Sequence, residues 1–215
     1  MKRFAQCVLF VAATGLPAAV VIDRIAVIVD NHAIKQSDLA RDLRLTEFLN
    51  GQPPDLSLDA RKKSAERLIE QELLREEIAN GGFHWAPESE AREMVAQIRT
   101  ARYGGSDTRL RAALDRYRLQ ESDLLARFQW QLTVLRYIDQ RFRNGVVIAD
   151  DDVRNYYEQH KAQLQRENPR NAAFTVLEPK IRASLEGERI NQNFAEAMKR
   201  ARQNRQIRYL KGAFQ

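Results

Sequence analysis

Apolar residues recur along most of the chain at intervals of three and four, the spacing that places them on one face of an α-helix. Glycine, proline and asparagine fall between these periodic segments, where helices end. Ser37 and Asp59 are the expected N-caps of the first two helices. The pattern predicts helices over about 37–50, 59–80, 87–103, 107–117, 121–142, 149–164 and 177–202. The sequence therefore predicts a mainly α protein.

Two parts of the chain alternate between apolar and polar residues instead, which is typical of strands. RIAVIVD at 24–30 and AIKQ at 33–36 flank a turn at Asn31-His32, so a small hairpin is expected near the N-terminus. The segment IRYL at 207–210 alternates in the same way near the other end. We expect this C-terminal strand to join the hairpin and complete a three-stranded sheet.

The segment 121–142 carries two apolar stripes. The first stripe comprises Leu124, Phe128, Leu132, Leu135, Ile138 and Phe142, and the second comprises Trp130, Val134 and Tyr137. At 100° per residue the second stripe lies roughly 100° from the first. This helix is expected either to be the central core helix or to turn its second stripe towards a partner or an apolar crevice.

The apolar face of the last predicted helix shifts partway along its length. Leu177, Ile181 and Leu185 share one face, whereas Ile190, Phe194, Met198 and Ala201 lie on nearly the opposite one. Gly187 lies between the two sets, and Pro179 is expected in the first turn, where proline is tolerated. The pattern predicts a helix that kinks or passes from one core to another.

The first residues have the pattern of an export signal. Lys2 and Arg3 precede an apolar run at 4–16, and small residues at 17–19 supply a cleavage site. We expect a signal peptide at 1–19 and a periplasmic protein, with an uncleaved anchor that reaches Ile22 as the alternative. Cys7, the single cysteine, lies inside this signal, so the mature chain is expected to have no disulfide and no thiolate metal site.

The charged residues do not predict a nucleic-acid protein. The formal net charge is +6, but arginine alternates with acidic residues, as in RKKSAERLIEQELLREE at 61–77. Such mixing is typical of a solvated helix face and not of a phosphate-binding patch.

The sequence has no pattern that predicts catalysis. The three histidines at positions 32, 84 and 160 lack the spacing of a metal site. The glycine pairs at 81–82 and 104–105 read as helix stops and not as a phosphate loop, and no Gly-x-Ser-x-Gly elbow occurs. The acidic run at 150–152 suits a helix N-terminus better than a calcium loop. We therefore expect no metal, no cofactor and no catalytic residue.

The order of four segments resembles the N-terminal chaperone module of the SurA family of periplasmic folding factors. They are RIAVIVDNHAIKQSDL, RLIEQELLREEI, LDRYRLQESDLLARFQWQLTVLRYIDQRF and VVIADDDVRNYYEQHKAQL, within about residues 22–165. The terminal segment LEPKIRASLEGERINQNFAEAMKRARQNRQIRYL resembles the family's closing helix and strand. The resemblance implies a helical module whose closing helix and strand return to complete the N-terminal core.

The same resemblance implies where a catalytic domain would be. Family members place parvulin-type prolyl isomerase domains before the closing helix, and a domain needs on the order of 100 residues. Here the gap is LQRENPRNAAFTV, which is too short to fold alone. The expected organisation is a helical chaperone module at 20–165, a linker at 166–175 in place of the parvulin domain, and a closing helix and strand at 176–215.

These observations predict an ATP-independent periplasmic chaperone that binds unfolded or extended segments of exported proteins, including outer-membrane proteins. The expected client-binding residues are Phe83, Trp85, Trp130, Val134 and Tyr137, at an apolar crevice between helices. One alternative is an isomerase-family relative that is catalytically inactive and acts as an envelope scaffold. An active prolyl isomerase is the other, although no residues are available for its catalytic domain.

Overall fold

A computed structural model describes residues 23–214, so the predicted signal peptide and the alternative anchor lie outside the described residues. Within 23–214 the chain forms seven α-helices and one three-stranded antiparallel sheet. The predicted mainly α fold with a small sheet is confirmed.

Most element boundaries follow the apolar pattern closely. The strands are β1 (Ile25–Val29), β2 (His32–Lys35) and β3 (Ile207–Tyr209). The helices are α1 (Gln36–Asn50), α2 (Leu58–Asn80), α3 (Glu88–Tyr103), α4 (Asp107–Arg116), α5 (Glu121–Ile138), α6 (Asp150–Glu167) and α7 (Phe174–Gln203). A π-helical turn at Asp139–Arg143 continues α5. No helix among these residues is both long and apolar enough to cross a membrane.

The sheet joins the two ends of the described chain. Its strand order is β2-β1-β3, and both pairings are antiparallel. The Asp30 N–H donates to the Gln206 carbonyl at 2.8 Å, and Arg205 pairs with the Asp30 carboxylate at 3.1 Å. Beyond β3, the Gln36 side chain donates to the carbonyl of Ala213 at 3.0 Å. The predicted return of the C-terminal strand to the hairpin is confirmed.

The predicted caps of the first two helices are wrong. Helix α1 begins one residue before Ser37, whose hydroxyl donates to Asp23 and caps nothing. Helix α2 begins before Asp59, and the Ser57 hydroxyl accepts from the Ala60 N–H at 3.3 Å. Several short oxygen-bearing side chains near a helix start can cap it, and the direction in which the chain enters decides which one does.

Within residues 23–214 the core consists of four apolar clusters. The first joins α1, α3, α4 and α5, and it includes Phe48, Val95, Leu110, Leu114, Leu124 and Phe128. The second packs α1 and α2 against the sheet and the C-terminal turn, and it includes Val27, Leu39, Ile69, Leu73 and Ala213. The third, here called the aromatic cluster, includes Leu74, Ile78, Phe83, Trp130, Val134, Tyr137, Phe142 and Phe194. The fourth joins α6 to α7 through Val153, Tyr157, Leu177 and Ile181.

Helix α5 is shared between two of these clusters, as its two stripes predicted. Leu124 and Phe128 lie in the first cluster, whereas Trp130 and Tyr137 lie in the aromatic cluster. Leu135, expected on the buried first stripe, is instead 64% exposed. The spacing defines a stripe along the whole helix, but tertiary packing covers only part of it.

Helix α7 passes from one cluster to another, which confirms the reading of its shifting apolar face. Leu177 and Ile181 pack on α6, whereas Phe194 packs in the aromatic cluster. Pro179 was expected in the first turn of this helix. Because the helix begins at Phe174, Pro179 lies beyond that turn instead. Helix α6 extends into the start of the predicted 166–175 linker, and α7 begins before its end. Their connection is therefore limited to 168–173.

Candidate cleft between the sheet edge and helix α5

A cleft of about 450 Å³ opens beside the edge strand β2. Its walls come from β2, α1, the middle of α2 and the first half of α5. Ile34, Leu45 and Leu68 contribute apolar surface, and charged side chains lie among them. The cleft therefore combines apolar surface with charge in one concave site, the combination found at many ligand-binding sites.

Both tryptophans of the chain lie at this cleft. The ring centroids of Trp85 and Trp130 are 5.6 Å apart, and the ring planes are inclined by 48°. The Arg75 guanidinium lies 5.7 Å from the Trp85 centroid and 5.4 Å from the Trp130 centroid. These distances allow a cation–π interaction with both indoles, which orients the Arg75 side chain.

The loop that carries Trp85 is fixed to α5 by hydrogen bonds to both backbone groups of one residue, Ala86. The Ala86 N–H donates to Thr133 Oγ1 at 3.0 Å, and Gln129 Nε2 donates to the Ala86 carbonyl at 2.9 Å. Thr133 is fully buried, so the first of these bonds is shielded from water. The loop thus holds Trp85 in place while 46% of that residue remains exposed.

A nearly buried carboxylate belongs to the lining of the cleft. The Asp42 side chain is 4% exposed, and its Oδ2 accepts from Ser64 Oγ at 2.8 Å and from Arg67 Nη2 at 2.6 Å. Its Oδ1 accepts from Arg127 Nη1 at 3.3 Å. The carboxylate therefore links α1 to α2 and α5 and positions Arg127 at the cleft wall.

A second charged group connects β2 to the tryptophans. Glu72 lies 3.3 Å from His32 Nδ1 and 3.8 Å from Arg75 Nε, measured to its two carboxylate oxygens. Its side chain is only 12% exposed. The Glu72 carboxylate thus has His32, the first residue of β2, at one oxygen and the Arg75 side chain at the other.

The five predicted client-binding residues occupy two neighbouring sites, and Trp130 belongs to both. Trp85 and Trp130 line the cleft. Phe83, Val134 and Tyr137 pack in the aromatic cluster between α2, α5 and α7. Their client binding stays a prediction, but only the two tryptophans are placed at a concave surface.

Edge-to-face ring contacts fill the aromatic cluster. Phe83 packs on Tyr137 at 4.9 Å, Tyr137 on Phe142 at 5.8 Å, and Phe142 on Phe194 at 5.6 Å. Such contacts favour a packed core over an open crevice. The second stripe of α5 is therefore packed in the aromatic cluster, which α7 joins through Phe194 at the π-helical turn.

The sequence reasoning missed Asp42, Arg75 and Thr133. Asp42 lies three residues after Leu39 and next to Leu43, on the buried face of α1, and a carboxylate at such a position needs a cationic partner. That position was a usable signal. Arg75 lies in a highly charged run, and nothing in its spacing indicates the two indoles above it.

The Tyr137 hydroxyl is expected to make the aromatic cluster less stable at alkaline pH. Burial raises the pKa of the Tyr137 hydroxyl above its ordinary value of 10.0, and the Glu77 carboxylate adds to the rise. The folded state then binds more protons than the unfolded state, so this contribution is present below pH 10 and is lost as pH rises through the folded pKa. We expect the wild type to lose more free energy of unfolding between pH 8 and pH 11 than Tyr137→Phe does, in chemical denaturation. Equal losses in the two proteins would contradict the prediction.

The cleft is described by the side chains and backbone groups that line it. Across 23–214, no group of three or more His, Cys, Asp or Glu side chains is arranged to hold a metal ion. What the cleft presents is two indoles, oriented guanidinium groups and the edge of a sheet, which suit the binding of a polypeptide.

No protein-family model matches the chain, and no curated protein is significantly similar to it. The resemblance to the SurA family therefore stays a prediction.

Proposed function

We propose that the protein is a periplasmic, ATP-independent chaperone-like protein that binds unfolded or extended segments of exported proteins, including outer-membrane proteins. Binding occurs at the cleft, where Trp85 offers a large amphipathic surface at low cost in conformational entropy and the buried Trp130 packs against it. The partly exposed Trp85 beside the cleft is the observation that carries the proposal.

Two further features support this proposal. The connection between α6 and α7 at 168–173 is far shorter than a folded catalytic domain, which favours binding without prolyl isomerisation. The order of the segments also resembles the SurA chaperone module. A proline-limited refolding assay is expected to show no rate above background, and catalysis there would favour an isomerase instead.

Aggregation of an unfolded protein tests the proposal. Light scattering from a denatured, aggregation-prone protein is expected to fall when the wild type is present in stoichiometric excess. Trp85→Ala removes exposed aromatic surface from the cleft. This variant is therefore expected to require a several-fold higher concentration than the wild type for the same suppression of scattering.

Leu135→Ala is the matched control, because Leu135 is an exposed apolar residue on α5 that does not line the cleft. It is expected to act like the wild type. Absence of any suppression by the wild type would refute the proposal. An equal loss of suppression in the two variants would indicate that binding occurs outside the cleft. Capture of one stoichiometric partner from an envelope extract, without unfolded clients, would favour the scaffold role.

A further inference from the structure

No strand within residues 23–214 pairs with the outer edge of β2, and the backbone groups on that edge belong to Ala33. In an antiparallel sheet, successive residues direct their N–H and C=O groups to opposite sides. Asp30 donates to Gln206 next to β3, so the preceding residue Val29 directs its groups to β2, where it is paired with His32. Ala33 follows His32 and therefore directs its N–H and C=O outward, at the cleft that it lines.

The charges at the cleft differ in how far they reach into solvent. The Arg41 and Arg75 side chains are 60% and 49% exposed. The carboxylates of Asp42, Glu72 and Asp123 are only 4%, 12% and 21% exposed, and each lies within 4 Å of an arginine nitrogen, that of Asp123 at 3.7 Å from Arg41. Asp38, which also lines the cleft, accepts from the backbone N–H of Lys35 at 2.9 Å. The guanidinium groups of Arg41 and Arg75 thus reach further into solvent than the carboxylates paired with them.

We propose that the cleft binds an extended polypeptide segment with acidic side chains, which adds to β2 as a fourth strand. The segment's backbone hydrogen-bonds to Ala33, and one of its carboxylates lies beside Arg75. This inference rests on the proposed function and specifies its substrate class. Strand addition explains affinity for many sequences, because backbone groups are common to all of them, while the exposed guanidinium groups favour acidic ones.

Intrinsic fluorescence measures this binding directly, because the chain has two tryptophans and both line the cleft. The probes are short tryptophan-free peptides in which Val alternates with Glu, Gln or Lys. The Glu peptide is expected to bind about tenfold more tightly than the Gln peptide at low salt, and the Lys peptide most weakly. Two further versions of the Glu peptide carry methyl groups on every second backbone nitrogen, one on the odd and one on the even positions. Because strand addition uses the backbone groups of every second residue, only one of the two versions is expected to bind about tenfold more weakly.

Arg75→Gln tests the charged contact. Because this change also alters the surroundings of both indoles, the quantity compared is the ratio of the Glu and Gln peptide Kd values within each protein. The ratio is expected to approach one in Arg75→Gln and to stay at the wild-type value in Arg92→Gln, which removes an exposed arginine of α3 outside the cleft.

Three outcomes would overturn the inference. They are equal affinities of the wild type for the Glu and Gln peptides, no effect of N-methylation in either register, and displacement of the Glu peptide by inorganic triphosphate at similar concentration, which would indicate a simple anion site. If any of these occurs while the wild type still suppresses aggregation, the inference fails and the proposed function stands. If suppression is absent as well, both fail.

Discussion

Replacing Asp42 by alanine is expected to lower the free energy of unfolding by about 3–5 kcal/mol, because it leaves partly buried arginine charges without their counter-ion. The carboxylate accepts from Ser64, Arg67 and Arg127, and it is the contact through which α1, α2 and α5 share one charge network. Removing one partner of such a group costs much more than the group contributes as a whole. Chemical denaturation followed by far-ultraviolet circular dichroism measures the loss.

Glu196→Ala serves as the control for Asp42→Ala. Glu196 is a mostly exposed acidic residue of α7 that pairs with Arg200 at 3.8 Å. Exposed pairs of this kind contribute less than about 1 kcal/mol. A loss in Asp42→Ala no larger than the loss in Glu196→Ala would show that the buried network does not hold the three helices together.

Deleting residues 205–215 is expected to destabilise the protein by at least about 3 kcal/mol, from hydrogen bonds worth roughly 1 kcal/mol each together with lost apolar burial. The deletion removes β3 from β1 and removes Ala213, which is 3% exposed, from the second cluster. It also removes the carbonyl that accepts from Gln36 and the arginine that pairs with Asp30. Thermal unfolding of the shortened chain measures the effect.

A matched control and a rescue distinguish the lost strand from general damage. Arg208→Ala keeps β3 and changes only an exposed side chain, so its free energy of unfolding is expected to stay within about 0.5 kcal/mol of the wild type. A synthetic peptide of residues 205–214 is expected to raise the melting temperature of the shortened chain. An unchanged melting temperature after the deletion itself would mean that the returning strand contributes little.

The helices and strands were predictable because their signals are local. Apolar spacing located all seven helices, and alternation located the hairpin and the returning strand at Ile207–Tyr209. Helix starts were less accurate, since Ser37 and Asp59 carry good capping side chains but the chain enters each helix earlier. The exposed Leu135 was missed because a stripe on one helix does not reveal how far its neighbours extend.

The cleft was predictable only in part. The pattern singled out the aromatic residues of α5 and of the loop before α3, and Trp85 and Trp130 do lie at a concave surface. It gave no means to separate them from Phe83 and Tyr137, which pack against each other in the aromatic cluster. All four are large aromatic residues at similar positions in the pattern.

The order of residues was enough to define which faces are apolar, where the chain turns and that its two ends pair, because each of these depends on neighbours in sequence or on a strand pattern. Which apolar faces meet was settled by the packing of distant elements. Thr133 and Gln129 fix the loop that carries Trp85, and Asp42 joins three helices, through contacts between residues far apart in the chain. Spacing along one helix contains no information about such contacts, so the cleft emerges only when α2, α5 and the sheet are assembled.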